Sequence, residues 1–223
     1  MSSAERFDSW HAARRRLYRV IAPATVLLAL LLAATAAAAA ETRTIVAFGD
    51  SLTAGLGVAR TGSYPSQLQE RLQREGYGYR VVNAGVSGDT TAGGLRRVDA
   101  VLQLRPEIVI VEFGANDGLR GVPLVAMREN LEQIVARLRA GGAQVVLAGM
   151  KLPPNYGPAY TGGFEAVYRE LAQRQRVRLL PFFLAGVAAK ADLNQDDGLH
   201  PTADGYRIVV DNLWPVLKPL LRR

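Results

Sequence analysis

The chain has 223 residues, 49% of them apolar and 21% charged, and no cysteine. That balance excludes a disordered or collagen-like chain, and the missing thiol excludes disulfides, a cysteine nucleophile, zinc ribbons and lipoprotein attachment. The net charge of +7 suggests a nucleic-acid partner, but Arg6, Arg14, Arg15, Arg16 and Arg19 against Glu5 and Asp8 carry +3 of it, and the remaining +4 forms no basic run interleaved with aromatics. No nucleic-acid partner is expected.

The basic segment Arg14-Arg15-Arg16-Leu17-Tyr18-Arg19 precedes an apolar stretch from Val20 to Ala40 that ends in five alanines. Basic, apolar, then small is the order of an export signal. The stretch is also near the ~20 residues that span a bilayer, so an uncleaved membrane anchor is the other reading. Alanine is weakly apolar and the A-x-A end suits cleavage, which favours removal. Either way the arginines stay cytoplasmic and everything after Glu41 is delivered to the periplasm. Residues 1–40 are thus expected to be an export signal or N-terminal anchor, and residues 41–223 one domain.

From residue 44 short apolar runs alternate with segments of helical period. Strands are expected at 44–48, 80–83, 108–111, 144–148 and 177–180. Helices are expected at 64–75, 91–104, 122–140, 164–175 and about 201–221, with Ser63 available as a cap and Pro65 tolerated in the first turn of the first helix. Strands apolar on both faces and alternating with helices imply a parallel sheet covered on both sides. The expected class is α/β, a three-layer α/β/α sandwich with five parallel strands in flavodoxin-like order.

In such folds ligands bind at the carboxyl ends of the strands. Four polar, glycine-containing segments fall there: Gly49-Asp50-Ser51-Leu52, Asn83 to Asp89, Gly114-Ala115-Asn116-Asp117, and Asp196 to Pro201. His11 lies in the export segment, which leaves His200 as the one imidazole after it. With a single histidine and no cysteine, a transition-metal site is poorly supplied, and neither metal nor cofactor is expected. A lone histidine ahead of Pro201 could simply cap a helix. Asp197, three residues earlier on a tight turn, is however within reach of a ring nitrogen, as a carboxylate that fixes the tautomer of a general base.

Such a base needs an oxygen nucleophile, and Ser51 is the candidate. The strand-to-helix elbow G-x-S-x-G is absent, as are G-x-x-x-x-G-K-[ST] and G-x-G-x-x-G. Acyl transfer also needs donors for the developing oxyanion. The Ser51 and Gly88 amides and the Asn116 side chain form the natural set. Asp50 and Asp117 are expected to brace loops, and Glu112, on an otherwise apolar strand, to be a buried partner of a backbone or arginine group.

These residues resemble an SGNH hydrolase of the GDSL-type esterase/lipase superfamily, with Ser51, Gly88, Asn116 and His200 in its four blocks and Asp197 in its Asp-x-x-His pair. The likeness spans residues 44–220. It is nearest to the bacterial periplasmic thioesterase, lysophospholipase and arylesterase group, through Asn83 to Thr90, Asn116 to Gly121, Leu152 to Gly157, Leu180 to Phe183 and Asp196 to Pro201. Ala115 stands where many relatives have glycine. The resemblance implies hydrolysis of lysophospholipids, aryl esters or acyl thioesters through an acyl-enzyme on Ser51, by a monomer. Asn155, Tyr156, Phe182 and Phe183 lie on loops that could line an acyl groove, or their aromatics could close the core over the sheet. A carbohydrate or cell-wall O-acetyl esterase and a membrane-tethered binding module are the competing readings.

Overall fold

The computed structural model describes residues 43–223, so the expectations for residues 1–40 lie outside the described residues. Five strands form one parallel sheet: β1 Arg43–Gly49, β2 Tyr79–Gly85, β3 Ile108–Glu112, β4 Gln144–Ala148 and β5 Arg178–Leu180, in the order β2-β1-β3-β4-β5. Ile45 to Phe48 of β1 and Ile108 to Val111 of β3 are fully buried, as expected of central strands sandwiched on both faces. The edge strand β2 is mostly half-buried, with Tyr79 buried and Arg80 and Asn83 exposed.

The helices are α1 Ser51–Ala54, α2 Tyr64–Arg74, α3 Thr91–Gln103, α4 Ala115–Leu119, α5 Leu124–Ala140, α6 Pro158–Gln175 and α7 Ala203–Leu217. The chain steps from β1 outward to β2 and then back past β1 to β3. Right-handed crossovers in opposite directions place their helices on opposite faces. Accordingly α2 packs with α7, while α5 packs with both α3 and α6. The reversal also leaves a crevice at the carboxyl ends of β1 and β3. No helix of the described residues is long and apolar enough to cross a membrane.

Two local expectations are corrected. Ser63 occupies the residue before α2, but its hydroxyl donates back to the Arg60 carbonyl at 2.8 Å instead of capping the helix. Helix α6 begins at Pro158, six residues before its expected start, because the weak helix former pair Gly162-Gly163 hides its first turns. The short helices α1 and α4, each following a strand, are too brief to show a period.

Candidate active site

Gly49, the last residue of β1, sets the turn that carries Ser51. A Cβ there would stand 2.1 Å from Thr53 Oγ1 and 2.5 Å from the Glu112 carbonyl oxygen, so only glycine lets β3 and α1 approach this closely. Asp50 follows as the cap of α1, its Oδ1 accepting the Leu52 amide at 3.0 Å. Ser51 opens α1 and is 8% exposed. Its Oγ lies 2.8 Å from His200 Nε2, although 149 residues separate the two.

His200 is fixed mostly by its own turn. Asp197 Oδ1 accepts the amides of Leu199 and His200, both at 2.9 Å, and Asp197 Oδ2 lies 2.6 Å from His200 Nδ1. The Nδ1 proton therefore belongs to the aspartate side, leaving the Nε2 lone pair toward the serine hydroxyl. The backbone amide of His200, more than any other group, holds the Asp197 carboxyl down at about 2. Gln195 ties this turn to the opposite loop: its amide donates to the His200 carbonyl at 2.8 Å and its Nε2 to the Leu56 carbonyl at 2.7 Å.

The expected oxyanion donors converge beside Ser51. Gly88 has φ +78°, a left-handed turn that glycine adopts without strain, and Arg120 secures its carbonyl at 3.1 Å. Neither the Ser51 nor the Gly88 amide donates to a backbone carbonyl in the turns of the described residues. Asn116, at the start of α4, points Nδ2 at Asp50 Oδ2 (3.0 Å) and at the Asp89 carbonyl (2.9 Å). Asp89 in turn pairs with Arg97, whose guanidinium also donates to the Ala84 and Gly49 carbonyls and lies over the Phe48 ring.

The brace residues divide as follows. Asp117 is buried and accepts the Thr91 amide and hydroxyl at 2.9 and 2.6 Å, fastening the start of α3. Asp50 is fully buried, and desolvation raises its carboxyl to about 6 despite the Leu52 amide that opposes the shift. Glu112 is buried as expected and has the Asp50 backbone beside it, though no arginine pairs with it; its Oε2 accepts the Thr53 hydroxyl at 2.7 Å, and its carboxyl faces that of Asp50. Desolvation pushes its own carboxyl well above the usual range.

A cavity of about 290 Å³ opens at this point. Ser51, Gly88, Asn116 and His200 line it together with Leu56, Leu119, Met150, Leu152, Leu184 and Leu199. Asn155, Tyr156, Phe182 and Phe183 are not among its lining residues. Phe183 is fully buried against Tyr64, Phe182 packs on the core beside Lys151, and the Tyr156 hydroxyl donates to the Leu119 carbonyl at 3.2 Å. The aromatics therefore close the core and pin the loop, and leucines supply the apolar wall. Leu56 and Leu199, both exposed by nearly half, are the residues that sequence reasoning missed. A lone leucine next to a catalytic-type segment on two facing loops is the signal that was present for them. Among the described residues no cluster of three or more His, Asp or Glu is arranged to hold a metal ion.

Comparison with known proteins gives a consistent result. Residues 47–208 match the model of the GDSL-like Lipase/Acylhydrolase family. The chain is 46% identical over 183 residues to "Esterase TesA" of Pseudomonas aeruginosa, covering 82% of this chain and 91% of the relative. It is 40% identical over 183 residues to "Thioesterase 1/protease 1/lysophospholipase L1" of Escherichia coli K12, covering 82% and 86%. Among solved structures, the crystal structure titled TesA superposes with a TM-score of 0.78 at 46% identity, covering 80% of this chain and all of that one.

Proposed function

The chain belongs to the GDSL-like lipase/acylhydrolase family and hydrolyses carboxylic esters and thioesters, and we propose that its acyl-enzyme forms on Ser51. The single observation that carries this reading is the unbroken line Ser51 Oγ, His200 Nε2, His200 Nδ1, Asp197 Oδ2, with spacings of 2.8 and 2.6 Å, at the edge of an apolar cavity.

His200 takes the Ser51 proton as Oγ bonds to the carbonyl carbon, and the imidazolium is stabilised by Asp197, which remains a carboxylate throughout. The carbonyl oxygen gains the negative charge and is received by the Ser51 and Gly88 amides and the Asn116 side chain. His200 returns its proton to the departing alcohol or thiol. Water, deprotonated by His200, then attacks the acyl-enzyme, and collapse of the second oxyanion frees the acid and Ser51.

The predominance of leucines and Met150 in the lining, with Lys151 as its one basic side chain besides His200, favours an acyl chain over the acetyl group of a carbohydrate ester, since a sugar needs more polar partners than this. Lysophospholipids, aryl esters and acyl thioesters all present such a chain beside an accessible carbonyl. We place the enzyme in the periplasm on the strength of residues 1–40, whose basic-apolar-small order is that of an export signal or anchor. The test is covalent labelling by a fluorophosphonate with the adduct mapped by mass spectrometry, together with hydrolysis of p-nitrophenyl esters of increasing chain length. Label on Ser51 and faster cleavage of medium than of acetyl chains is the expected result. Label elsewhere, or undiminished hydrolysis in Ser51→Ala, removes the assignment.

A further inference from the structure

Beneath Ser51 lies a group of polar side chains that the catalytic steps leave unused. Asp50 and Glu112 are both fully buried, and their carboxyl groups face one another. Two carboxylates facing each other without water cannot both be charged, so the pair keeps a proton. Glu112 keeps it, since burial and then the Asp50 charge both favour its neutral form. Glu112 Oε2 accepts from Thr53, and Oε1 has no donor among the described residues. A neutral carboxyl resolves that imbalance, because it accepts from Thr53 and donates to Asp50.

Asp50 faces upward as well. Its Oδ1 fixes the turn that carries Ser51, through the Leu52 amide, and its Oδ2 fixes the Asn116 amide. The second Asn116 N–H is held by the Asp89 carbonyl. With both hydrogens directed, the side chain has one orientation before substrate arrives. An oxyanion then draws on the hydrogen held by the neutral Asp89 carbonyl, while the charged contact to Asp50 keeps the amide in place. We infer that Asp50 is a positioning residue for the Asn116 amide, with Glu112 holding Asp50 in place from below. This rests on the oxyanion role given to Asn116 above.

The test exploits a change of chemistry at constant volume. In Asp50→Asn one oxygen becomes an NH₂ group, which must face either the Asn116 NH₂ or the Leu52 N–H, donor against donor. Hydrolysis of p-nitrophenyl butyrate is measured for Asp50→Asn, Asn116→Ala and the double variant, with a thermal melt of each to establish that it is folded. Loss of an oxyanion donor lowers kcat about 100-fold in Asn116→Ala, and misorientation of that donor lowers it about 10-fold or more in Asp50→Asn, with KM within about threefold. In the double variant, kcat is within about threefold of Asn116→Ala alone, because the first change acts through the second.

Losses that multiply overturn the positioning role, since a merely structural Asp50 would lower kcat in either background. Full kcat in Asp50→Asn beside an impaired Asn116→Ala overturns it as well. Full kcat in Asn116→Ala overturns the oxyanion reading and this inference together. If Asp50→Asn does not fold, Glu112 carries the same test: Glu112→Gln, which keeps a neutral donor and acceptor, loses less than about threefold, and Glu112→Met, which keeps neither, loses about tenfold. Equal losses in those two variants, or losses that multiply with Asn116→Ala, overturn the inference.

Discussion

Ser51 stands on a junction whose neighbouring carboxyl groups are sealed from water, whereas His200 stands on a turn whose carboxylate side chain is 44% exposed. Each half depends on an aspartate, and the two aspartates have opposite electrostatics. Burial raises Asp50, while hydrogen bonds from the adjacent backbone lower Asp197. The exposed turn is self-contained, because a carboxylate given amides two and three residues away needs no dry surroundings to stay charged and aimed. The buried junction depends on Asp50 together with Thr53 of α1, Glu112 of β3 and Asn116 of α4, and it is correspondingly sensitive to any change of shape. Function is concentrated on both sides, but stability is at risk on only one.

That contrast is tested most severely by removing a catalytic group from each half. Ser51→Ala is expected to lower kcat by about 10⁴-fold or more, and Asp197→Asn by about 10³- to 10⁴-fold, through the wrong imidazole tautomer. The thermal midpoint should scarcely move in Asp197→Asn, and a drop of many degrees there would contradict a self-contained turn.

The next effect concerns pH. Asp50 titrates at about 6 in the folded protein against 3.8 for its unperturbed group. Its contribution to stability is thus fully present below pH 3.8 and is lost as pH rises through about 6, a change on the order of 3 kcal/mol. Asp197 has the opposite sign, with a contribution present above pH 3.8 and lost as pH falls toward 2. Urea unfolding of the parent and of Asp50→Asn at pH 4 and pH 8 should therefore give a difference that shifts in favour of the variant at the higher pH. A difference independent of pH would place Asp50 among ordinary surface carboxylates.

Smaller still is the effect of adding one methyl group to the junction. Gly49→Ala pushes a Cβ against Thr53 and the Glu112 backbone and is expected to cost about 1–3 kcal/mol in urea unfolding. At Gly198, in the exposed turn, nothing lies within 4 Å of such a Cβ, so Gly198→Ala pays only for its left-handed backbone, φ +66°, about 1 kcal/mol. Equal effects at the two glycines would erase the distinction between the regions.

The sheet and the Ser51–His200–Asp197 line were legible because their signals are local. A strand buried on both faces reads as an unbroken apolar run, as in Ile108-Val109-Ile110-Val111, and Asp197 with His200 reads as a pair three residues apart. Ser51 and His200 could be joined by elimination, since the chain offers one imidazole after residue 40. The lining of the cavity was not legible. Phe183 and Leu199 are both apolar residues on loops, and only the packing of Tyr64 against Phe183 sends one inward and leaves the other at the opening. Glu112 shows the same limit: its isolation on an apolar strand announces burial, but its partners, Thr53 and Asp50, come from a turn about sixty residues away and leave no mark on the sequence around it.

The span of 149 residues between Ser51 and His200 has a consequence for the life of the chain. Ser51 follows the first strand, and His200 lies three residues before α7, the last long helix. Closing so long a loop comes late in folding, after the local elements that it joins. On the proposed mechanism, a chain that is still emerging, or truncated anywhere before residue 200, holds Ser51 with no base. Hydrolysis is then expected to begin only once the C-terminal turn has docked, and the return of activity during refolding would be a clock for that docking.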